Sequence, residues 1–500
     1  MADKSIVIIG AGIAGLAAGC YGQMNGYRTE ILEMHDKPGG LCTAWTRKGY
    51  TVDGCLHWVT DSKPGPGFYK VWQELGAIQG REVVYFDAFG RLEGRHGEEF
   101  VFHSDLGRLE EHMLQLSPED GDLIRDFIKD ARKCLRFEMP IDKAPELYGP
   151  IDGLKMLFKM MPFLGTIRKW DSMSMQDFAV RLKSPFLKEV FPLIWFPEFS
   201  MFPLMAFMAG FHQQRSGYPL GGSLEFSRAI EKRYLDLGGR IQYKSKVAKV
   251  IVENRRAVGV RLEDGTEYRG DYVISAADGY ATIFEMLDGK YVDKRIRGYY
   301  EKLAIFPPLV YVAMGVNRTF SDVPRTLSGF NMPLVEPVAI GGRLRERLDV
   351  HVYNHDPSLA PAGKTVVICM IGSDYGYWKK LREDPEQYRA AKEKTAHQVI
   401  TALDKRWPGF ASQVEMCDVA TPITFHRYTG NWQGSFEGWM ITPGKLTLQI
   451  KKTLPGLDRF YMAGQWVAPG GGIPSAAFSA RNAMQIICKR DKKRFETSVP

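Results

Sequence analysis

IVIIGAGIAGLAAG, residues 6–19, sets a four-residue apolar run directly before a glycine triplet and a run of small apolar residues. Ile6 to Ile9 read as a buried strand, and Gly10, Gly12 and Gly15 supply GxGxxG spacing where that strand would turn into a helix. Each glycine has its own task in a βαβ dinucleotide site. Gly10 permits the tight turn, Gly12 lets backbone N–H groups approach a pyrophosphate, and Gly15 lets the helix sit close to the sheet. The helix N-terminus around Ala14 then offers its positive dipole end to phosphates. A second strand, Thr29 to Leu32, leads into Glu33, 18 residues after Gly15, where an acidic side chain can accept hydrogen bonds from an adenosine ribose.

The 500 residues are too many for one small core and imply two or three lobes. A hydrophobic content of 45% and a charged content of 25% belong to a folded protein rather than a disordered one. The net charge of +8 is modest and runs along no long basic stripe, so nucleic acid is not an expected partner. Seven scattered cysteines without a CxxC pair argue against a zinc site or a disulfide framework, and no metal is expected. The first strand begins by Ser5, which points to a reducing, cytoplasmic setting, with peripheral membrane contact left open.

No internal repeat organises the chain. Residues 81–103 alternate as an antiparallel strand pair, and Ser117 to Phe211 reads as mainly helical, rich in Met and Phe and broken by prolines. α/β character returns after Gly217, with a helix from about Leu224 and strands at Arg240 to Lys244, Val247 to Val252 and Tyr272 to Ser275. A hairpin at Asp264-Gly265 lies between the last two. These strands are expected to complete the nucleotide sheet begun upstream. The chain closes with a strand, a glycine-rich loop and a helix opened by Pro474. The expected fold class is α/β: a Rossmann-type domain assembled from residues 1–78, 216–300 and 445–500. Residues 79–215 and 301–444 would form an α+β substrate domain with an antiparallel or mixed sheet and a helical cap or membrane-facing region.

Five stretches, GAGIAGLAAG with Glu33, PGGLCTAW, YPLGG, DYVISAAD and YMAGQWVAPGGGIPSAAFSAR, together resemble the FAD-dependent phytoene desaturase superfamily. That group includes carotenoid desaturases, carotenoid isomerases and retinol saturase, and is related to the amine oxidases. The resemblance implies FAD as the cofactor. It places Gly39 and Gly40 beside the phosphates and ribityl chain, Val247 against the adenine, and Gly464 and Gln465 near the ribityl and pyrophosphate. Gly471, Gly472, Ile473 and Pro474 would lead into a helix aimed at the flavin ring. Two positions depart from the pattern: Gln465 stands where many relatives are acidic, and Leu41 stands where many amine oxidases carry arginine.

Flavin chemistry needs a C–H or C=C held close to the ring and a group to handle any proton that moves. His57 is the first such candidate; it could equally hydrogen-bond backbone within a packed loop. His212 and Tyr218 form a second polar group with Gln213 and Gln214, and His426 with Arg427 a third; each could line a pocket or lie at the surface. The run Phe191 to Phe211 is apolar but broken by Pro192, Pro197, Glu198 and Pro203, so it is no simple membrane span. Leu154, Leu157, Phe158 and Met161 recur at helical spacing beside Lys155 and Lys159, as an interfacial helix or a Met-rich lid would show. The expected function is FAD-dependent desaturation or saturation of a carbon–carbon bond in an apolar isoprenoid or lipid-like substrate. Redox-neutral isomerisation, amine oxidation and a non-catalytic flavin scaffold are the alternatives. No second GxGxxG follows a strand, so electrons are expected to pass to or from oxygen, a quinone or a redox protein.

Overall fold

Strand Ser5–Ile9 sits at the middle of a five-stranded parallel sheet in the computed structural model, which describes residues 4–65 and 67–500. It pairs on one side with Arg28–Leu32 and on the other with Tyr272–Ser275. Arg240–Gln242 closes one edge and Phe460–Met462 the other. A strand covered on both faces carries apolar residues in an unbroken run rather than in alternation, which is why Ile6 to Ile9 are all buried. The strands of this sheet therefore come from three distant stretches of chain.

Helix Ile13–Met24 follows the glycine turn and packs against the terminal helix Gly472–Arg490 and against Gly222–Asp236. Small residues make this close packing possible. A Cβ added to Gly15 would stand 1.8 Å from the Gly10 carbonyl oxygen, and one on Gly19 would stand 2.6 Å from the Tyr234 ring. The terminal helix begins at Gly472, ahead of Pro474.

One expectation fails here. Val247–Glu253, Arg256–Leu262 and Glu267–Arg269 do not extend the parallel sheet; they form a separate three-stranded antiparallel sheet turned through the expected Asp264-Gly265 hairpin. The hairpin pattern fixes local pairing and leaves open which layer the strands join.

A seven-stranded mixed sheet makes the second lobe. Its strands Leu309–Val316, Phe330–Ile340, Arg343–Val352, Thr365–Gly372 and Val414–Ala420 are joined by the antiparallel pair Ala88–Glu93 and Glu99–His103. Ala88–Glu93 meets Phe330–Ile340 in parallel, which makes the sheet mixed. Helices between Leu106 and His212 cap this lobe around a core containing Phe127, Trp170, Phe178 and Phe191. Among the described residues, no helix is long and apolar enough to cross a membrane.

Candidate functional site

A cavity of about 1550 Å³ opens between the parallel sheet and the mixed sheet. Gly10, Gly12 and Ala14 line it where strand Ser5–Ile9 ends, and Gly39, Gly40 and Leu41 line it from the next loop. The two glycine segments are tied together by a hydrogen bond from Gly39 N–H to the Ala11 carbonyl, 2.9 Å. Gly472 and Ile473 bring a second helix N-terminus to the same space, beside Gly464 and Gln465. Neither Gly12 nor Gly471, the residues that cap these helices, can satisfy the first-turn N–H groups with a side chain. Two helix ends with free donors thus face one cavity, an arrangement suited to anionic groups.

Gly12 offers the sharpest test of what the cavity holds. Its φ is −66°, which any residue adopts, and a Cβ there would come no closer than 3.8 Å to protein atoms. Neither backbone strain nor the protein's own packing calls for glycine at this position; its missing side chain leaves the backbone open to close approach from the cavity. Gly15 differs: it is absent from the lining and serves only helix packing. Gly39 combines both needs, with φ +112° and a Cβ position 2.1 Å from the Cys42 carbonyl oxygen.

Glu33 is buried at the end of strand Arg28–Leu32 and lines the cavity. It accepts hydrogen bonds from Ala11 N–H at 2.6 Å and His35 N–H at 2.8 Å. Burial raises its pKa, and those N–H donors oppose the shift. Val247 also lines this end.

The candidate polar residues separate. His57 and His426 line the cavity; His212 and Tyr218 do not. His212 ends helix Met201–His212, where its Nδ1 lies 3.3 Å from Leu106 N and 3.2 Å from Asp105 Oδ2. Tyr218 is buried, its hydroxyl 3.1 Å from Asp356 and 3.3 Å from Asp53. Asp53 in turn accepts from the N–H groups of Cys55, Leu56 and Ser223. Tyr218 therefore braces the loop that presents His57 and does not face the cavity itself. His426 donates from Nδ1 to the Asn431 carbonyl, 3.1 Å, and the Asn431 side chain accepts from Gln465 and Trp466, each at 3.3 Å. Pro474 lies in the first turn of the terminal helix, outside the lining.

Two carboxyl groups that the motifs did not single out face the same space. Glu437 makes no hydrogen bond among the described residues and sits against Gly471, where an added Cβ would come within 2.6 Å of the Glu437 Cβ. Burial pushes its pKa up to about 8. Asp278, pushed by burial to about 7, accepts from Ala281 and Trp432 N–H at 2.8 Å each. No sequence signal marks Glu437, whose character comes entirely from burial.

A family model described as flavin containing amine oxidoreductase matches residues 13–488. The chain belongs to that family. FAD is its cofactor, and the uncapped helix ends, the open face of Gly12 and the buried Glu33 fit that group. Within the family the chain is 24% identical to prolycopene isomerase, chloroplastic, of Arabidopsis thaliana, covering 95% of this chain and 80% of that protein. It is 24% identical to the lycopene-forming phytoene desaturase of Pseudescherichia vulneris, covering 97% and 99% respectively. An oxidoreductase structure from Methanosarcina mazei matches with a TM-score of 0.58 at 18% identity, over 96% of this chain and 100% of that one, which shows a shared fold.

Proposed function

We propose that the protein desaturates, or in reverse saturates, a carbon–carbon bond in an extended apolar polyene. The observation that carries this reading is one continuous cavity joining the cofactor cradle to a compartment walled by Ile305, Pro308, Leu309, Met370 and Phe436, with Glu437 a carboxyl that has no hydrogen-bond or ion-pair partner among the described residues. At about 1550 Å³ it exceeds the range of about 300–1,000 Å³ usual for one small ligand, leaving space for a substrate beside the cofactor. The names of the two relatives, phytoene desaturase and prolycopene isomerase, support an apolar polyene as substrate.

FAD, when bound, supplies the acceptor or donor of two electrons. The chain does the rest. Gly12 and the helix end at Ile13 would hold the phosphates, the terminal helix end at Gly472 would face the flavin ring, and Glu33 would accept from the ribose. The apolar wall excludes water and orients the substrate. Where a C–H bond would give up hydride to bound FAD, the proton from the neighbouring carbon would pass to a Glu437 carboxylate oxygen. In saturation the Glu437 carboxylic acid returns that proton. Oxygen, a quinone or a redox protein completes the electron balance.

The match to an isomerase favours a second reading, cis–trans isomerisation without net electron transfer. Anaerobic mixing of oxidised and of reduced protein with phytoene-like polyenes, followed by product analysis, tests both. Substrate-dependent loss of the oxidised flavin band supports desaturation. Isomer formation with the flavin still reduced supports the second reading, and no response to polyenes alongside rapid reduction by amines overturns both.

A further inference from the structure

Strands Ala44–Arg47 and Tyr50–Asp53 form a short antiparallel hairpin between the loop that carries Gly39 and Gly40 and the loop that carries His57. Its register sets Arg47 opposite Tyr50 and Ala44 opposite Asp53, and Gly54 N–H continues it by donating to the Thr43 carbonyl at 2.9 Å. One position further on, the register sets Cys42 across from Cys55. Hydrogen-bonded and non-hydrogen-bonded pairs alternate along a hairpin, so this pair is of the second kind, which in general holds its Cα atoms about 4.5 Å apart. A disulfide joins Cα atoms about 4.4–6.8 Å apart. The hairpin therefore brings two thiols into bridging register.

The side chains meet as the register requires. The Cys42 thiol acts on the Cys55 thiol through a side-chain hydrogen bond, and together with burial it pushes Cys55 well above the ordinary thiol pKa. The Cys42 thiol also donates to the Ser223 carbonyl at 3.6 Å. Both cysteines line the cavity beside Leu41 and Gly54. Glu437, seated against Gly471 at the head of the terminal helix, lies close enough for its charge to raise Cys55 further. Cys369 and Cys417 differ: the strand Leu309–Val316 runs between theirs, a separation of about 9.5 Å that no disulfide spans.

We propose that Cys42 and Cys55 are a dithiol–disulfide couple that exchanges two electrons with bound FAD, so that the loaded protein stores twice the electrons that FAD alone holds. In the oxidising direction both S–H bonds break and one Sγ–Sγ bond forms. The electron pair passes to oxidised FAD with one proton, and the second proton is released through the cavity. The reverse takes up the same electrons and protons and restores both thiols. Dithiol and disulfide are each uncharged, so burial penalises neither, whereas it disfavours the thiolate that exchange with thiols in solution requires. The cavity is thus the couple's route for electrons. A transient disulfide of this kind is compatible with a reducing setting, unlike a structural one. The proposal rests on FAD as cofactor and not on the polyene reading, so either can fail alone.

The test is anaerobic reductive titration of the full-length FAD-loaded protein with dithionite, with free thiols counted on the denatured chain before and after. Oxidised wild type should consume about twice as much dithionite per FAD as Cys42→Ser or Cys55→Ser. It should show two fewer free thiols than its seven cysteines before reduction and all seven after it. Peptide mass mapping of the oxidised protein should find the Cys42 and Cys55 peptides joined, a result that needs no variant to fold. FAD-free protein kept in air for the same time should retain every thiol. Equal dithionite consumption by wild type and both variants, a full count of thiols in the oxidised loaded protein, or equal loss of thiols with and without FAD overturns the proposal.

Discussion

The rings of His57 and His351 lie 4.5 Å apart, centroid to centroid, with their planes inclined by 35°. Burial holds His57 well below the ordinary imidazole pKa, and the His351 and His355 charges push the same way. His351 is also penalised by burial, but Asp349 and the Ser328 carbonyl, 3.0 Å from Nδ1, outweigh that penalty and raise it. The two shifts run in opposite directions, so His351 takes up an added proton before His57 as pH falls, and His57 is the ring held neutral at the cavity surface.

Asp349→Asn removes the carboxylate that holds the proton on His351. The His351 pKa should fall, and His57, freed of a positive neighbour, should rise toward the usual value. Histidine ring C–H resonances followed by NMR across pH 4 to 8 check this; midpoints unchanged by the substitution would show that Asp349 does not set them.

Glu437 predicts a pH dependence whose sign depends on direction. With its pKa raised by burial to about 8, the group is mostly neutral at pH 7 and becomes carboxylate as pH rises. Desaturation, which needs the carboxylate, should therefore speed up through about pH 8 and level off above it. Glu437→Gln should lower kcat by about 100-fold or more, remove that rise and leave FAD binding intact. Stopped-flow flavin reduction in both proteins across the pH range measures it.

The two glycines of the first turn should respond oppositely to alanine. Gly15→Ala forces a Cβ to 1.8 Å from the Gly10 carbonyl oxygen and should cost about 3 kcal/mol of stability. Gly12→Ala meets no protein atom nearer than 3.8 Å and should leave the FAD-free protein as stable as wild type while weakening FAD binding. Thermal melts with and without FAD separate the two effects.

What the sequence disclosed was local. The glycine triplet, its flanking strand and Glu33 are written within one short stretch, and in the structure Gly10, Gly12 and Glu33 line one end of the cavity while Gly15 packs the helix on the sheet. The strand pair within 81–103 and the helical cap were legible for the same reason, since periodicity is a short-range signal. The strands between Val247 and Arg269 paired as expected yet joined a separate sheet, because register says nothing about which layer accepts a hairpin. His212 illustrates the harder limit: its partners, Asp105 and Leu106, lie far away in the chain and draw it from the cavity. Glu437 was invisible because its raised pKa comes from burial, a property of the assembled fold.

The central claim is that the cavity couples FAD to a carbon–carbon bond of an apolar polyene, and anaerobic absorbance titration of the FAD-loaded protein tests it most directly. Polyene with several consecutive single-bond sites should bleach the oxidised flavin band, and a more conjugated product should appear in equal amount. Flavin that stays oxidised with polyenes but bleaches with primary amines would contradict the account.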